Sequence, residues 1–397
     1  MESAKVVPSP DGVLSIILAG GKGSRLHDLT DCEAKPAIPI GPNLRLIDFT
    51  LANVINSGLQ KAMVLTQHAP ATLHAHLERS WQPDRARCTF TVLDGADHGP
   101  FAGTAHAVAC VIDQIDREAP EHVVVLAGDH LYQMDYRPLV QRHIDRAASV
   151  TVGVVHVPVS QASEFGILAA DASDRITAFV EKPRVAPEAR ERSGHALASM
   201  GIYVFDWKAL RALLNTMGEV ADLDFGKHIV PHLVTAGTAF AYALPGRGDE
   251  EPLWQDLGTL DAYHAVQMKL ASGALVLDPT WPVASRADDP RSNAGGGSIL
   301  RNVAVLPGGR IGRWASISNA IVTGDAVVPD GFDLDETIAH FGNWCVVSPG
   351  GIRLISARAL RHLAHLRHQH TSIPARPLIR SIAELPAAAM APVVPAA

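Results

Sequence analysis

Val13-Leu14-Ser15-Ile16-Ile17-Leu18-Ala19 is a short apolar run, and Gly20, Gly21 and Gly23 follow it at once. An apolar run of this length, bounded by glycines, is the pattern of a parallel strand buried on both faces. Glycines in the turn allow positive φ and a close approach of the backbone to a ligand. Successive amides in such a turn form a concavity for anions. Lys22 and Arg25 add two fixed positive charges within residues 18–26. The combination suits a triphosphate held by Gly20, Gly21, Lys22, Gly23 and Arg25. Two other phosphate-binding patterns are excluded. A Rossmann G-x-G-x-x-G needs glycine where Leu26 stands, and no G-x-x-x-x-G-K-[ST] is present.

Strand-like runs recur at residues 62–67 and 122–127, with helical periodicity between them at 46–57 and 104–115. That alternation predicts a doubly wound α/β domain with a mixed sheet. Further strands are expected at 150–157, 176–181, 200–205 and 239–244. Helical periodicity stops after Leu270. From Gly297 to Gly331, apolar triplets such as Val303-Ala304-Val305, Ala320-Ile321-Val322 and Ala326-Val327-Val328 alternate with Gly, Pro and Asp. A spacing near six residues is the mark of a left-handed β-helix, here about two coils long. An irregular β-appendage is the alternative. The expected organisation is a nucleotide-binding catalytic domain over residues 1–270, a linker over 271–296 and a short hexapeptide-type β-helix domain over 297–360. A C-terminal helix and a disordered Ala/Pro-rich tail are expected over 361–397.

With 397 residues, 47% of them hydrophobic and 19% charged, the chain can bury two or three cores. A net charge of −7 argues against a nucleic-acid partner. Cys32, Cys88, Cys110 and Cys345 form no C-x-x-C pair, which suits reduced thiols in a cytoplasmic protein. Residues 1–12 lack the apolar stretch of a signal peptide, and no run reaches the ~20 apolar residues of a membrane span. Histidines cluster at His68, His74 and His76, and again at His362, His365, His368 and His370. Without accompanying carboxylates or cysteines they read as solvated helix faces, not zinc ligands.

Asp129 follows a strand in Gly128-Asp129-His130, at the end of the sheet where open α/β folds bind ligands. Asp256 stands in Trp254-Gln255-Asp256-Leu257-Gly258-Thr259. Capping a helix and closing a turn are alternative roles for the two. In Glu181-Lys182-Pro183, the proline is expected to hold Lys182 extended, where a lysine can meet a phosphate as a point charge.

Taken in order, these motifs carry a resemblance. Residues 18–26 are similar to the L-A-G-G-x-G-[ST]-R-L signature of sugar nucleotidyltransferases. Ala34-Lys35-Pro36-Ala37, Arg45 to Phe49, Asn53, Leu65-Thr66-Gln67, Gly103-Thr104-Ala105 and Gly128-Asp129-His130 follow. Glu164-Phe165-Gly166, Glu181-Lys182-Pro183, residues 198–205, Asp224 to Lys227, Trp254 to Thr259 and Trp281-Pro282 continue the series. Together they resemble the ADP-glucose pyrophosphorylase (glucose-1-phosphate adenylyltransferase) family over most of residues 13–360.

The resemblance implies attack of glucose 1-phosphate on the α-phosphorus of ATP, with Mg2+ as cofactor, for glycogen or α-glucan synthesis. It implies Arg25, Lys35 and Asp129 as catalytic residues, with Asp129 and Asp256 flanking the metal. Gln67, Gly103 and Thr104 join the nucleotide set; Gly166, Glu181, Lys182 and Ser199 form the sugar-phosphate set. A homo-oligomer, a tetramer, is implied as well. The chain departs from the family in four places. It has no Pro-Ala-Gln-Gln-Arg run between Trp81 and Phe101, and His106 stands where Asp is usual. Ala102 stands where a larger side chain is common, and the coil segment is about half the usual length. Another base or sugar, or a non-catalytic regulatory subunit, are the competing readings.

Overall fold

A computed structural model describes residues 12–81, 87–185, 192–246, 251–283 and 293–369. The chain divides into two compact units between residues 288 and 289.

The first unit begins with β1 (Val13–Ala19), a short hairpin of β2 (Pro39–Ile40) and β3 (Leu44–Arg45), and α1 (Leu46–Asn56). Then come β4 (Lys61–Thr66), α2 (Pro70–Trp81), β5 (Thr89–Asp94), α3 (Gly95–His98), α4 (Thr104–Ala109) and α5 (Ile112–Glu118). The middle of the unit holds β6 (His122–Ala127), β7 (His130–Tyr132), α6 (Arg137–Asp145), β8 (Val150–Pro158), β9 (Gly166–Ala170) and β10 (Ile176–Glu181). It closes with β11 (His195–Asp206), α7 (Trp207–Thr216), α8 (Val230–Thr235), β12 (Ala239–Ala243), β13 (Trp254–Asp256) and α9 (Leu260–Ala271).

Nine of these strands form one mixed sheet. Its main path runs β10-β9-β11-β6-β1-β4-β5, and β8 joins β11 to β12. β1 lies parallel to both β4 and β6, so the carboxyl ends of all three open on the same edge. Alternate residues of β1 feed two cores. Val13, Ile17 and Ala19 face one, while Leu14 and Ile16 face the other. That two-sided burial is why the run reads as continuously apolar. α1 is buried nearly all round, as a helix of this composition must be.

Three expectations change. The predicted helix over 104–115 is two helices, with Val111 between them at φ −121°. Val108, Val111 and Ile115 are all buried, so the apolar period runs through the kink undisturbed. His76 is not on a solvated face: it is buried, and its Nε2 lies 2.6 Å from Asp48 Oδ1. Asp48 also accepts from the Arg45 amide and Trp81 Nε1, which makes it the anchor of α1 and α2. The expected linker over 271–296 is tied down at points among its described residues. Trp281 Nε1 donates to Asn53 Oδ1, Asn56 donates to the Pro282 carbonyl, and Asn293–Ala294 already pairs within the second unit.

The second unit is strand-rich. It contains β14 (Asn293–Ala294), β15 (Ile299–Val305), β16 (Arg310–Ile311), β17 (Ser316–Val322), β18 (Val327–Val328), α10 (Leu334–Phe341), β19 (Val346–Val347), β20 (Arg353–Ile355) and α11 (Ala357–Gln369). β14-β16-β18 and β15-β17-β20 are parallel ladders. Asn302 donates to Asn319, its counterpart 17 residues on in the next strand. Ile311, Ile317, Ala320, Val322, Ala326 and Val328 fill the interior, and Phe332, Trp344 and Leu363 pack against them. The expected Ala/Pro tail lies outside the described residues. Among the described residues no helix is long and apolar enough to cross a membrane.

Candidate active site

The site is built where β1, β4 and β6 end. Gly23 takes φ +61°, and its carbonyl accepts from the Leu26 amide and the Thr30 hydroxyl. A Cβ on Gly23 would come within 3.1 Å of Lys35 Cβ, so the glycine turn and the lysine stem pack directly together. Open space surrounds the Cβ position of Gly21, and Lys22 beside it is exposed. The turn therefore presents backbone and a cation to solvent.

β7 leaves the Gly128-Asp129 corner and pairs antiparallel with β13, with Asp256 opposite His130. This ribbon brings Asp129 and Asp256 to one point. Lys35 Nζ lies 2.9 Å from Asp129 Oδ2 and 2.9 Å from Asp256 Oδ1, with only 7% of its side chain exposed. Burial alone would lower the lysine pKa, but the two carboxylates outweigh it and the net shift is upward. Burial would likewise raise Asp129, yet Lys35 and His130 bring it down to about 2. Both shifts describe a charged pair. Arg25 reaches one of these carboxylates more loosely, 3.9 Å from Asp256 Oδ2, and lies 3.4 Å from a third, Glu164 Oε2. Gly258 makes room for it, since a Cβ there would fall 2.6 Å from the guanidinium.

His130 is a member that the motif reading passed over. Its Nδ1 donates to the Met200 carbonyl, and its Nε2 faces Asp129 and Asp256 at 3.7 and 3.8 Å. That carbonyl is freed by a register shift in β11 between Ser199 and Ile202, where Gly201 takes φ +69°. The Ser199 hydroxyl accepts from the Gly201 amide and donates to the Tyr203 hydroxyl. Ser199 is thus buried and shapes the bulge.

The other predicted residues fall into two groups. Gln67 is bound through both ends of its amide to the Phe101 backbone. Thr104 donates to Asp224 and accepts from the Phe225 amide, and a Cβ on Gly103 would fall 2.3 Å from the Leu223 carbonyl oxygen. Gln67 fixes the loop between β5 and α4 to the end of β4, and Gly103 and Thr104 fix it against the segment before α8. On the far side, Gly166 pairs with Glu181 across β9 and β10. A Cβ at Gly166 would lie 2.8 Å from the Glu181 carboxylate, and one at Gly226 would lie 2.6 Å from it. Gly226 is a further residue whose role only its neighbours reveal. Burial raises the Glu181 pKa, and Asp224 adds to the shift against Lys182 and Lys227. Lys182 is 60% exposed with Nζ 4.0 Å from Glu181. Its φ is +48°, not the extended conformation expected before proline. Its amide donates to the Phe165 carbonyl, and this bond holds the unusual backbone.

Asp129 and Asp256 already share one cation, so their oxygens suit a hard divalent ion. Among the described residues no group of three or more His, Cys, Asp or Glu side chains is arranged to hold a metal. A donor set of two carboxylates is that of an ion whose shell a substrate completes.

A family model described as nucleotidyl transferase matches residues 14–273. A glucose-1-phosphate adenylyltransferase of Agrobacterium fabrum is 35% identical, covering 85% of this chain and 93% of its own length. One from Jannaschia is 36% identical over 86% and 94% of the two chains. Glucose-1-phosphate adenylyltransferase 2 of Vibrio cholerae is 36% identical over 81% and 85%. With the glycine turn, the paired carboxylates and matches of this extent, the chain belongs to the nucleotidyl transferase family, among relatives that bear the name glucose-1-phosphate adenylyltransferase.

Proposed function

We propose that this protein transfers the adenylyl group of ATP to glucose 1-phosphate, forming ADP-glucose and pyrophosphate for α-glucan synthesis. The observation that carries the reading is the meeting of Lys35 with Asp129 and Asp256, and of Arg25 with Asp256, beside the glycine-rich turn. An oxygen of the sugar phosphate attacks the α-phosphorus, and the bond from that phosphorus to the pyrophosphate oxygen breaks. Both reactants are anions, so the rate comes from positioning and charge stabilisation.

The amides of Gly20, Gly21 and Gly23, with Lys22 and Arg25, hold the triphosphate. Lys182 meets the phosphate of the sugar, and Glu181 accepts from its hydroxyls in the space left by Gly166 and Gly226. Gln67, Gly103 and Thr104 set the loop against which the nucleotide lies. Asp129 and Asp256 would hold Mg2+, which supplies charge neutralisation at the phosphates when bound. The second unit is read as a short left-handed β-helix, and the assembly as a cytoplasmic homo-oligomer.

The test is pyrophosphate release with a panel of nucleoside triphosphates and hexose 1-phosphates. ATP with glucose 1-phosphate should be the fastest pair. A second reading, another base, is favoured by the loop from Gly95 to Gly103, which has no Pro-Ala-Gln-Gln-Arg run and ties Gln67 to its own backbone. A higher rate with another triphosphate would select that reading. No release with any pair would make the chain a binding subunit.

A further inference from the structure

Lys35 stands between the metal site and the glycine-rich turn. Its ammonium is shared equally by the two carboxylates expected to hold the metal, and its stem lies against Gly23 of the phosphate-binding turn. Two carboxylates this close repel one another strongly at a half-buried site unless a cation stands between them. Arg25 is too exposed and too distant to do this alone, with 54% of its side chain in solvent. His130 is oriented by Met200 and stays 3.7 Å or more from both. Lys35 is therefore the close counter-ion. A free divalent ion entering the same point would meet its ammonium head-on.

We infer that Lys35 is the resting counter-ion of the metal site, so that the divalent ion enters with the triphosphate and not before it. The phosphates, arriving on the turn beside the lysine stem, take over the ammonium and release the carboxylates. The flexible four-carbon stem allows that transfer without backbone movement. The role rests on the proposed assignment of the metal to Asp129 and Asp256, and it adds an order of binding to it.

Mn2+ binding to the full-length protein, followed by electron paramagnetic resonance, tests this without turnover. Wild type should bind free Mn2+ weakly and gain affinity when α,β-methylene-ATP is present. Lys35→Met should bind free Mn2+ at least about tenfold more tightly than wild type, while Lys35→Arg stays weak. Adding Asp129→Asn to Lys35→Met should abolish the gain. If Lys35→Met is too unstable to titrate without metal, Mn2+ should raise its melting temperature far more than that of wild type. An unchanged free-ion affinity, or an equal rise in melting temperature, overturns the counter-ion role. A double variant that keeps the gain instead overturns the placing of the metal at Asp129, on which the inference depends.

Discussion

His130 and Asp256 stand opposite one another across the β7–β13 ribbon, and that pairing is what delivers a second carboxylate to Asp129. Lys35 then reaches both, from 94 and 221 positions away in the chain. The consequence is a site whose charges come from three separate segments. Single substitutions there are expected to change the site and leave the core intact.

Asp129→Asn keeps the shape of the corner and removes its charge. If the carboxylate holds the catalytic ion, kcat should fall by roughly a thousandfold. Pyrophosphate release measures this, and an unaltered circular dichroism spectrum would separate the loss from unfolding. Near-normal turnover would take Asp129 out of the reaction.

Gly226→Ala places a methyl group against the Glu181 carboxylate. The Michaelis constant for the sugar phosphate should rise by about tenfold, an overpacking effect of about 1–2 kcal/mol. The constant for the triphosphate should hardly move. A selective effect on the triphosphate would place Glu181 in the nucleotide pocket.

Lys182 combines a charge with a left-handed backbone, so two substitutions pull the effects apart. Lys182→Gln should raise the Michaelis constant for the sugar phosphate with little change in kcat, because it removes binding common to ground and transition states. Lys182→Gly should do the same while adding up to about 1 kcal/mol of stability, since glycine tolerates that φ. Thermal melts beside the kinetics decide it. Lower stability in the glycine variant would mean that the side-chain packing outweighs backbone strain.

His143 lies in the core of the first unit with its ring 5.1 Å from that of His122, and its Nδ1 meets the Thr151 hydroxyl. Burial, and next the neighbouring His122, lower its pKa from 6.5 to about 3. Below pH 6.5 the unfolded chain takes up a proton that the folded chain refuses. The stability is therefore complete above that pH and is lost as pH falls towards 3. His143→Gln removes this proton. Urea unfolding at pH 7 and pH 5 should show a loss about 2 kcal/mol smaller in the variant than in wild type. Equal losses would assign the acid sensitivity elsewhere.

Much of the first unit was legible because its signals are local. β1, β6 and β10 fall on runs whose apolar or β-branched content marks them. The glycine turn declares itself through the residue types that positive φ and close approach require. Lys182 was misread because a rule about its proline neighbour is also local, whereas the bond from its amide to Phe165 is not. His76 was misread for the same reason: its partner Asp48 lies on another helix. His130 and Gly226 carry no mark of their own, since each acquires meaning only from a side chain that another strand supplies.

The sequence by itself determined the alternation of strands and helices, the glycine-rich turn and the family to which the motifs belong. All three are written in short stretches where backbone preference and apolar period act over a few residues. Tertiary structure alone decided that Lys35 sits between Asp129 and Asp256, that Gln67 and Thr104 are spent on loop geometry, and that Glu181 lies between two glycines. Those relationships depend on strand register and on contacts between residues far apart in the chain. Register is a property of paired chains, so no single segment encodes it.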